Sequence, residues 1–331
     1  MLAAVYAFGL AGVLGALVFK QALMLLLMGR AVLRVNPFVF LRLSVLPRLK
    51  KYYAYGFLMY CTGLGLLVIE SSDKLILSRI VGMERLGVYS VSYGICLFAM
   101  DLAQPIFNIL LPFVTKAVAE NRLDRARHYL ERSFRALMLI YTPAVIFFTM
   151  EGRDMLGVFT VEAYFDGAVI FPWVVGGIAI VQVGSLHTYT LHAHQKGLAV
   201  LGVTGAAACL NLALNLWLIP RHGIVAAAWS TAAAYVFMFV LLRRFAVRHV
   251  PLRYGAGFLA RLAVCGAGTA AGIYGAQQIP AGYAMRLLAA LALGGGAYLF
   301  LLLITNCVPP DERRQLVELV RNSLKRDANQ D

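Results

Sequence analysis

The sequence predicts an all-α, polytopic membrane helix bundle of about nine transmembrane helices. Three observations carry that prediction. Of 331 residues, 61% are hydrophobic and only 14% are charged, whereas a soluble domain carries about 25% charged residues. Apolar runs of about 20 residues, each long enough to cross a bilayer as a helix, recur along most of the chain. Finally, 30 Lys and Arg stand against 16 Asp and Glu, a formal net charge of +14, and the basic residues fall between the apolar runs.

The spans follow in order near 2–28, 52–81, 86–116, 134–150, 166–191, 198–218, 223–243, 256–276 and 284–307. The runs 52–81 and 86–116 could each reach about 45 Å at 1.5 Å per residue. They must tilt, bend or project beyond the bilayer. Gly82-Met83-Glu84-Arg85 between them is a short turn, which makes the two an antiparallel hairpin. Between 198–218 and 223–243 stands Ile219-Pro220-Arg221-His222-Gly223. There Pro220 and Gly223 stop one helix and start the next. Gly294-Gly295-Gly296 lies inside an apolar run and predicts close helix packing rather than a phosphate cradle.

The loops alternate in charge. Residues 29–51 hold Arg30, Arg34, Arg42, Arg48, Lys50 and Lys51 with no acid, and 243–253 hold Arg243, Arg244, Arg248 and Arg253. Residues 151–167 carry one Arg against Glu151, Asp154, Glu162 and Asp166. The positive-inside rule then places 29–51, 116–135, 191–197, 243–255 and the tail 308–331 in the cytoplasm. Loops near 82–86, 151–166, 219–223 and 277–284 lie outside. The stretch 116–135 is amphipathic and reads as a helix lying on the inner surface.

This charge pattern is the one membrane topology requires, and no nucleic-acid signature accompanies it; nucleic acid is not an expected partner. Cys61, Cys96, Cys209, Cys265 and Cys307 lie in or beside apolar segments without a CxxC, and read as packing residues. The N-terminus has no basic n-region and no small-residue cleavage motif, so no removable signal peptide is expected. His187, His192 and His194 cluster in sequence, but no Cys or carboxylate lies near, so neither a metal nor a cofactor is expected. The G-x-S-x-G, P-loop and H-E-x-x-H patterns are missing, as is a loop DxD of the kind a glycosyltransferase would carry. The chain is not expected to be an enzyme.

Polar residues inside spans are costly and are therefore the candidate sites. Lys20 lies well inside the first run, as a functional cation or a side chain that snorkels. Glu70 and Lys74 are four apart in the favourable order for a helical ion pair. With Asp73 and Arg79 they form either an internally neutralised cluster or a cationic cavity wall suited to a diphosphate. Asp101, Gln104, Pro105 and Asn108 share one helix face, polar and able to kink. Asn211 and Asn215, again four apart, must face other helices or a wet cavity, since lipid cannot satisfy an amide.

The run N-x-x-x-N-x-x-L-I-P-x-x-G-x-x-x-A-A over 211–228 resembles the polysaccharide-exporter family of the MOP flippases, the O-antigen-unit flippases and their relatives. So does the stretch around Asp73-Lys74, Gly82 and Gly87-Val88-Tyr89-Ser90, which is similar to the start of that family's second lobe. The likeness covers about 50–245 well and the last two helices loosely. It implies one lobe of a two-lobed flippase: 1–51 the last helix of a first lobe with a basic linker, 52–245 second-lobe core helices, 246–307 two C-terminal spans and 308–331 a cytoplasmic tail. The implied function is moving a polyprenyl-diphosphate-linked glycan across the inner membrane for surface polysaccharides such as lipopolysaccharide. Membrane lipid and other polysaccharide-assembly membrane proteins are the further partners implied. Lys20, Asp73, Lys74, Arg79, Asp101, Gln104, Asn108, Asn211 and Asn215 are the candidates to line its central cavity. A truncated, non-transporting remnant and a cation-coupled drug exporter of the same superfamily are the alternatives.

Overall fold

The computed structural model describes residues 2–35 and 46–307. The expected tail at 308–331 and the middle of the basic stretch 29–51 lie outside these residues. The chain divides into two compact units, Met1–Phe57 and Leu58–Asp331, and the division falls inside a helix. The first unit contains α1 (Leu2–Val35) and the opening turns of α2 (Leu46–Ile80). At 34 residues, α1 measures about 50 Å, more than a hydrocarbon core needs. Phe19, Leu25 and Leu26 on it are exposed, as lipid-facing residues are.

The second unit holds the rest of α2, then α3 (Met83–Asp101), α4 (Gln104–Ala119), α5 (Leu123–Phe159), a 3₁₀ segment (Glu162–Ile170) and α6 (Phe171–Ala193). It ends with α7 (Gly197–Ala246), α8 (Ala256–Gln277) and α9 (Tyr283–Ile304). Among the described residues, five helices are long and apolar enough to cross a membrane, or six if the bent pair α3–α4 is one span. The chain is a multi-pass membrane protein.

Three breaks shape the bundle. Gly82 has φ 95°, a left-handed conformation that costs a side-chain-bearing residue free energy, and α3 folds back there along α2. The second break follows Asp101, where α4 leaves α3 at 46°. Pro105, in the first turn of α4, has no N–H to continue the helical ladder. The expected continuous span 86–116 is therefore a broken one.

The third break sits inside α7. Its 50 residues would span about 75 Å if straight. Yet Thr204 contacts Met238 at 4.0 Å, and Asn211 contacts Thr231 at 3.4 Å. Such pairs, both centred on residue 221, require an antiparallel hairpin. The turn is Gly223, with φ 59° and ψ −133°. Pro220 was expected to help stop the first helix; instead helical geometry runs through it and only Gly223 departs.

The amphipathic stretch 116–135 is not one surface helix. A turn at Asn121, with φ 55°, splits it between the end of α4 and the start of α5.

Small residues set the closest approaches, as packing between membrane helices requires. A Cβ on Gly272 would lie 2.7 Å from the Leu293 carbonyl oxygen and 3.0 Å from Gly294 Cα. Gly272 and Gly294 therefore mark where α8 and α9 touch, whereas Gly295 and Gly296 meet nothing. The main core joins α3, α5 and α6 through Tyr89, Cys96, Leu137, Tyr141, Phe171 and Leu186. A second core joins Ile69 of α2 to α6 and both arms of α7.

Connections segregate by end. Arg85 bonds Asp166 at 3.0 Å, Arg286 bonds Asp154 at 2.6 Å, and the Phe165 and Tyr283 rings meet at 5.7 Å. At the other end, the Arg253 amide donates to Glu131 at 3.1 Å and the His194 and His249 rings lie 4.6 Å apart. The loops expected on one side of the membrane thus touch one another.

Candidate substrate-facing site

Two polar clusters, both on hairpins or bends, hold most of the candidate residues of the second unit. The first is buried. Ser72 of α2 donates to Asn211 Oδ1 at 2.8 Å. Asn215 Nδ2 donates to Ser72 Oγ at 3.1 Å and to Asn211 Oδ1 at 3.0 Å. Asn211 Nδ2 reaches Thr231 Oγ1, and the Ser230 hydroxyl donates to Asn215 Oδ1. Both asparagines are 0% exposed. The i, i+4 spacing turns both amides to one face, and the Gly223 hairpin returns Ser230 and Thr231 to meet them. Asn211 and Asn215 thus lie buried between helices.

Next to Ser72 on α2, Asp73 is also 0% exposed. It accepts the Tyr89 hydroxyl and, at 2.6 Å, the Lys74 backbone N–H. The Lys74 ammonium sits 4.8 Å from the centroid of the Tyr93 ring, an attraction to the ring face. The Glu70 carboxyl is within Coulombic range of Lys74. Tyr89 and Tyr93 are the partners that sequence reasoning missed. Their spacing of four on α3, opposite Asp73 across the Gly82 turn, was the available signal. Arg79, nearer the turn, is exposed, so the structure separates it from Asp73 and Lys74. Lys20 is exposed on α1, in the other unit.

The second cluster is open. Asp101, Gln104 and Asn108 are all exposed and flank the α3–α4 bend. The bend frees the carbonyls at the end of α3, which membrane interiors do not tolerate unpaired. Two side chains satisfy them: the Tyr141 hydroxyl donates to Ala99 O at 3.0 Å, and Gln182 Nε2 donates to Met100 O at 3.1 Å. Neither residue was among the candidates. Gln182, a buried amide in the apolar α6, was visible as an anomaly, but nothing in the sequence named its partner. Beside the bend lies an apolar cavity of about 300 Å³, lined by Leu102, Pro143, Phe147, Thr269, Ile273 and Leu291.

The clustered histidines serve different neighbours. His187 Nε2 is 2.8 Å from the Tyr254 hydroxyl, whereas His194 Nδ1 meets Thr190 O at 2.9 Å.

Chemically, the two clusters differ. The buried one is a closed set of donors and acceptors holding three helix segments. The open one presents a carboxylate and two amides at an exposed face in the middle of a broken span, with an apolar cavity alongside.

The comparisons agree with this architecture. A family model described as polysaccharide biosynthesis protein matches residues 1–166, half of the chain. The chain is similar to the probable low-salt glycan biosynthesis flippase Agl15 of Haloferax volcanii, 22% identical over 187 residues. That match covers 55% of this chain and 39% of the relative. Among solved structures it resembles the lipid II flippase MurJ in its inward closed conformation, with a TM-score of 0.71 at 13% identity. That likeness covers 90% of this chain and 62% of the other, and shows a shared fold. The chain therefore spans less than two thirds of either protein.

Proposed function

The chain belongs to the polysaccharide biosynthesis protein family, and on that premise we propose that it forms one lobe of a flippase for a polyprenyl-diphosphate-linked oligosaccharide. The glycan serves cell-surface polysaccharide assembly, and the membrane is the cytoplasmic one. One observation carries the reading: Asp101, Gln104 and Asn108 are exposed in the middle of a broken span. Lipid cannot satisfy such groups, so this face lines water. An amphiphilic substrate fits the pairing of that face with the apolar cavity beside it. The sugars and diphosphate would cross along the polar side while the isoprenoid tail stays in lipid.

No covalent step is needed. The protein need only offer the head group to each side in turn by rocking around a central site. Arg79, exposed near the Gly82 turn, would attract the diphosphate at the outer end, since a cation favours phosphate strongly where water is sparse. Lys74 holds its charge over the Tyr93 ring and would contribute field rather than contact. Asp73, Asn211 and Asn215 would act as the joint between α2 and the α7 hairpin, and Lys20 would be a candidate cation of the first unit.

The experiment uses the gene at its own locus. Depletion should make lipid-linked glycan accumulate on the cytoplasmic leaflet, and replacing Asp101, Gln104 and Asn108 together by Leu should reproduce that at unchanged protein level. Normal glycan export under depletion, with a gain of sensitivity to lipophilic cations, would instead identify a drug exporter.

A further inference from the structure

A groove on the second unit, away from the bend, is shaped for a different lipid. It lies between α5, α6, the second arm of α7 and the start of α8, with a volume of about 580 Å³. Phe134, Met138, Ala179, Val183, Phe239 and Val240 give it apolar walls. Arg243 and Tyr254 are the polar residues that line it.

Its charged end is built rather than incidental. Tyr254 belongs to the non-helical connection between α7 and α8. Its hydroxyl is 2.8 Å from Nε2 of the buried His187, and its ring packs 4.5 Å from Phe134. Thus fixed, the ring holds the Arg243 guanidinium 5.2 Å from its centroid. A cation–π contact engages the face of the guanidinium and leaves the N–H donors, which point outward in the guanidinium's own plane, able to meet an anion. Arg243 is itself exposed, and no carboxylate lines the groove. Arg244 follows directly and Arg248 lies five residues beyond Arg243, adding to the positive field at this end of the bundle.

We propose that this groove binds one anionic diacyl phospholipid, an acyl chain along the apolar wall and the phosphate on Arg243. Charge complementarity selects the occupant. The groove opens at the basic end of the bundle, which the positive-inside rule assigns to the cytoplasmic leaflet. Anionic lipids give that leaflet its negative surface potential, and basic pockets between helices on that side hold their head groups. The volume falls in the range of lipid- and drug-sized sites, about 300–1,000 Å³. The site is separate from the Asp101 face and does not depend on what the protein transports.

The test is native mass spectrometry of the purified full chain, with phosphatidylglycerol, phosphatidylcholine or polyprenyl phosphate added in turn. The wild type should retain phosphatidylglycerol in preference to phosphatidylcholine, a comparison that needs no variant. Arg243→Gln should lower phosphatidylglycerol retention about tenfold or more, the cost of one charge-assisted contact, with Arg243→Lys in between. Ala179→Phe, which fills the groove, should lower retention of both phospholipids. Equal retention of the two phospholipids by the wild type would overturn the proposal. So would preferential capture of polyprenyl phosphate, which would make the groove a substrate site, or full phosphatidylglycerol retention by Arg243→Gln.

Discussion

The α3–α4 bend and the α7 hairpin carry almost the same polar pattern and put it to opposite uses. Gln104 and Asn108 are four apart, as are Asn211 and Asn215. The first pair is exposed and the second is 0% exposed. In a hydrocarbon surrounding, a buried amide needs protein partners and an exposed one needs water. Asn211 and Asn215 have Ser72, Ser230 and Thr231. Gln104 and Asn108 stand beside Asp101 on an open face. The pattern alone names the residue types that matter; which of the two fates each meets depends on what the chain folds back against them.

The strongest way to break this contrast is to make the open face apolar. Replacing Asp101, Gln104 and Asn108 by Leu should lower transport about 10- to 100-fold, the scale of one to two lost contacts to charged ligand groups. Melting temperature should hold or rise, because no protein partner is lost. A drop in melting with transport per folded molecule intact would invert the assignment.

The same substitution at Asn211 and Asn215 should do the reverse. It leaves the Ser72, Ser230 and Thr231 hydroxyls short of partners between helices, at about 1–3 kcal/mol. Thermal stability in detergent should fall, and transport should fall with the folded fraction. An unchanged melting curve would show that the network contributes little. Ser72→Ala alone should cost less, about 0.6 kcal/mol, the average for one interhelical hydrogen bond in a membrane protein. On the same scale as the asparagine pair is Gly272→Ala at the α8–α9 contact, where backbone rather than side chain meets the new Cβ. It should cost about 1–3 kcal/mol as overpacking, measured as the same melting shift, without touching either polar cluster.

The all-α membrane class was legible from composition, and the hairpins from Gly82 and Gly223, since length and turn chemistry act locally. The Asp101 face was legible too, because helical spacing and a nearby proline are both local. What the sequence hid was pairing at long range. Ser72 and Asn211 are 139 positions apart, and Gln182 reaches a carbonyl 82 positions away. Asp73 read as a cavity residue because its charge was visible, while Tyr89 was visible only as part of the Gly87-Val88-Tyr89-Ser90 motif and not as its partner across the turn. The 116–135 stretch read as one surface helix because its amphipathic period continues through Asn121; only the left-handed backbone there reveals the break.

The smallest effect tests the contrast at its wet limit, beyond the membrane. Glu131 sits near the N-terminal end of α5, where Arg127 Nε donates to it at 2.8 Å and the Arg253 amide at 3.1 Å. Burial pushes its carboxyl up, but those bonds and the charges of Arg127 and Arg135 outweigh it and hold it below the ordinary 4.5. A lowered folded value means the ionised form is favoured by folding. Its stabilisation is therefore present above about pH 4.5 and is lost as pH falls through the lower, folded value. Water screens the pair, so the contribution should be about 0.5 kcal/mol, that of a solvated ion pair on a helix. Glu131→Gln should melt slightly earlier than wild type at pH 7, and the difference should shrink as the pH is taken down toward 3. A constant difference across that range would mean that Glu131 acts through packing rather than charge. It would also place the aqueous end with the buried network, where shape decides, instead of with the open face, where charge and water do.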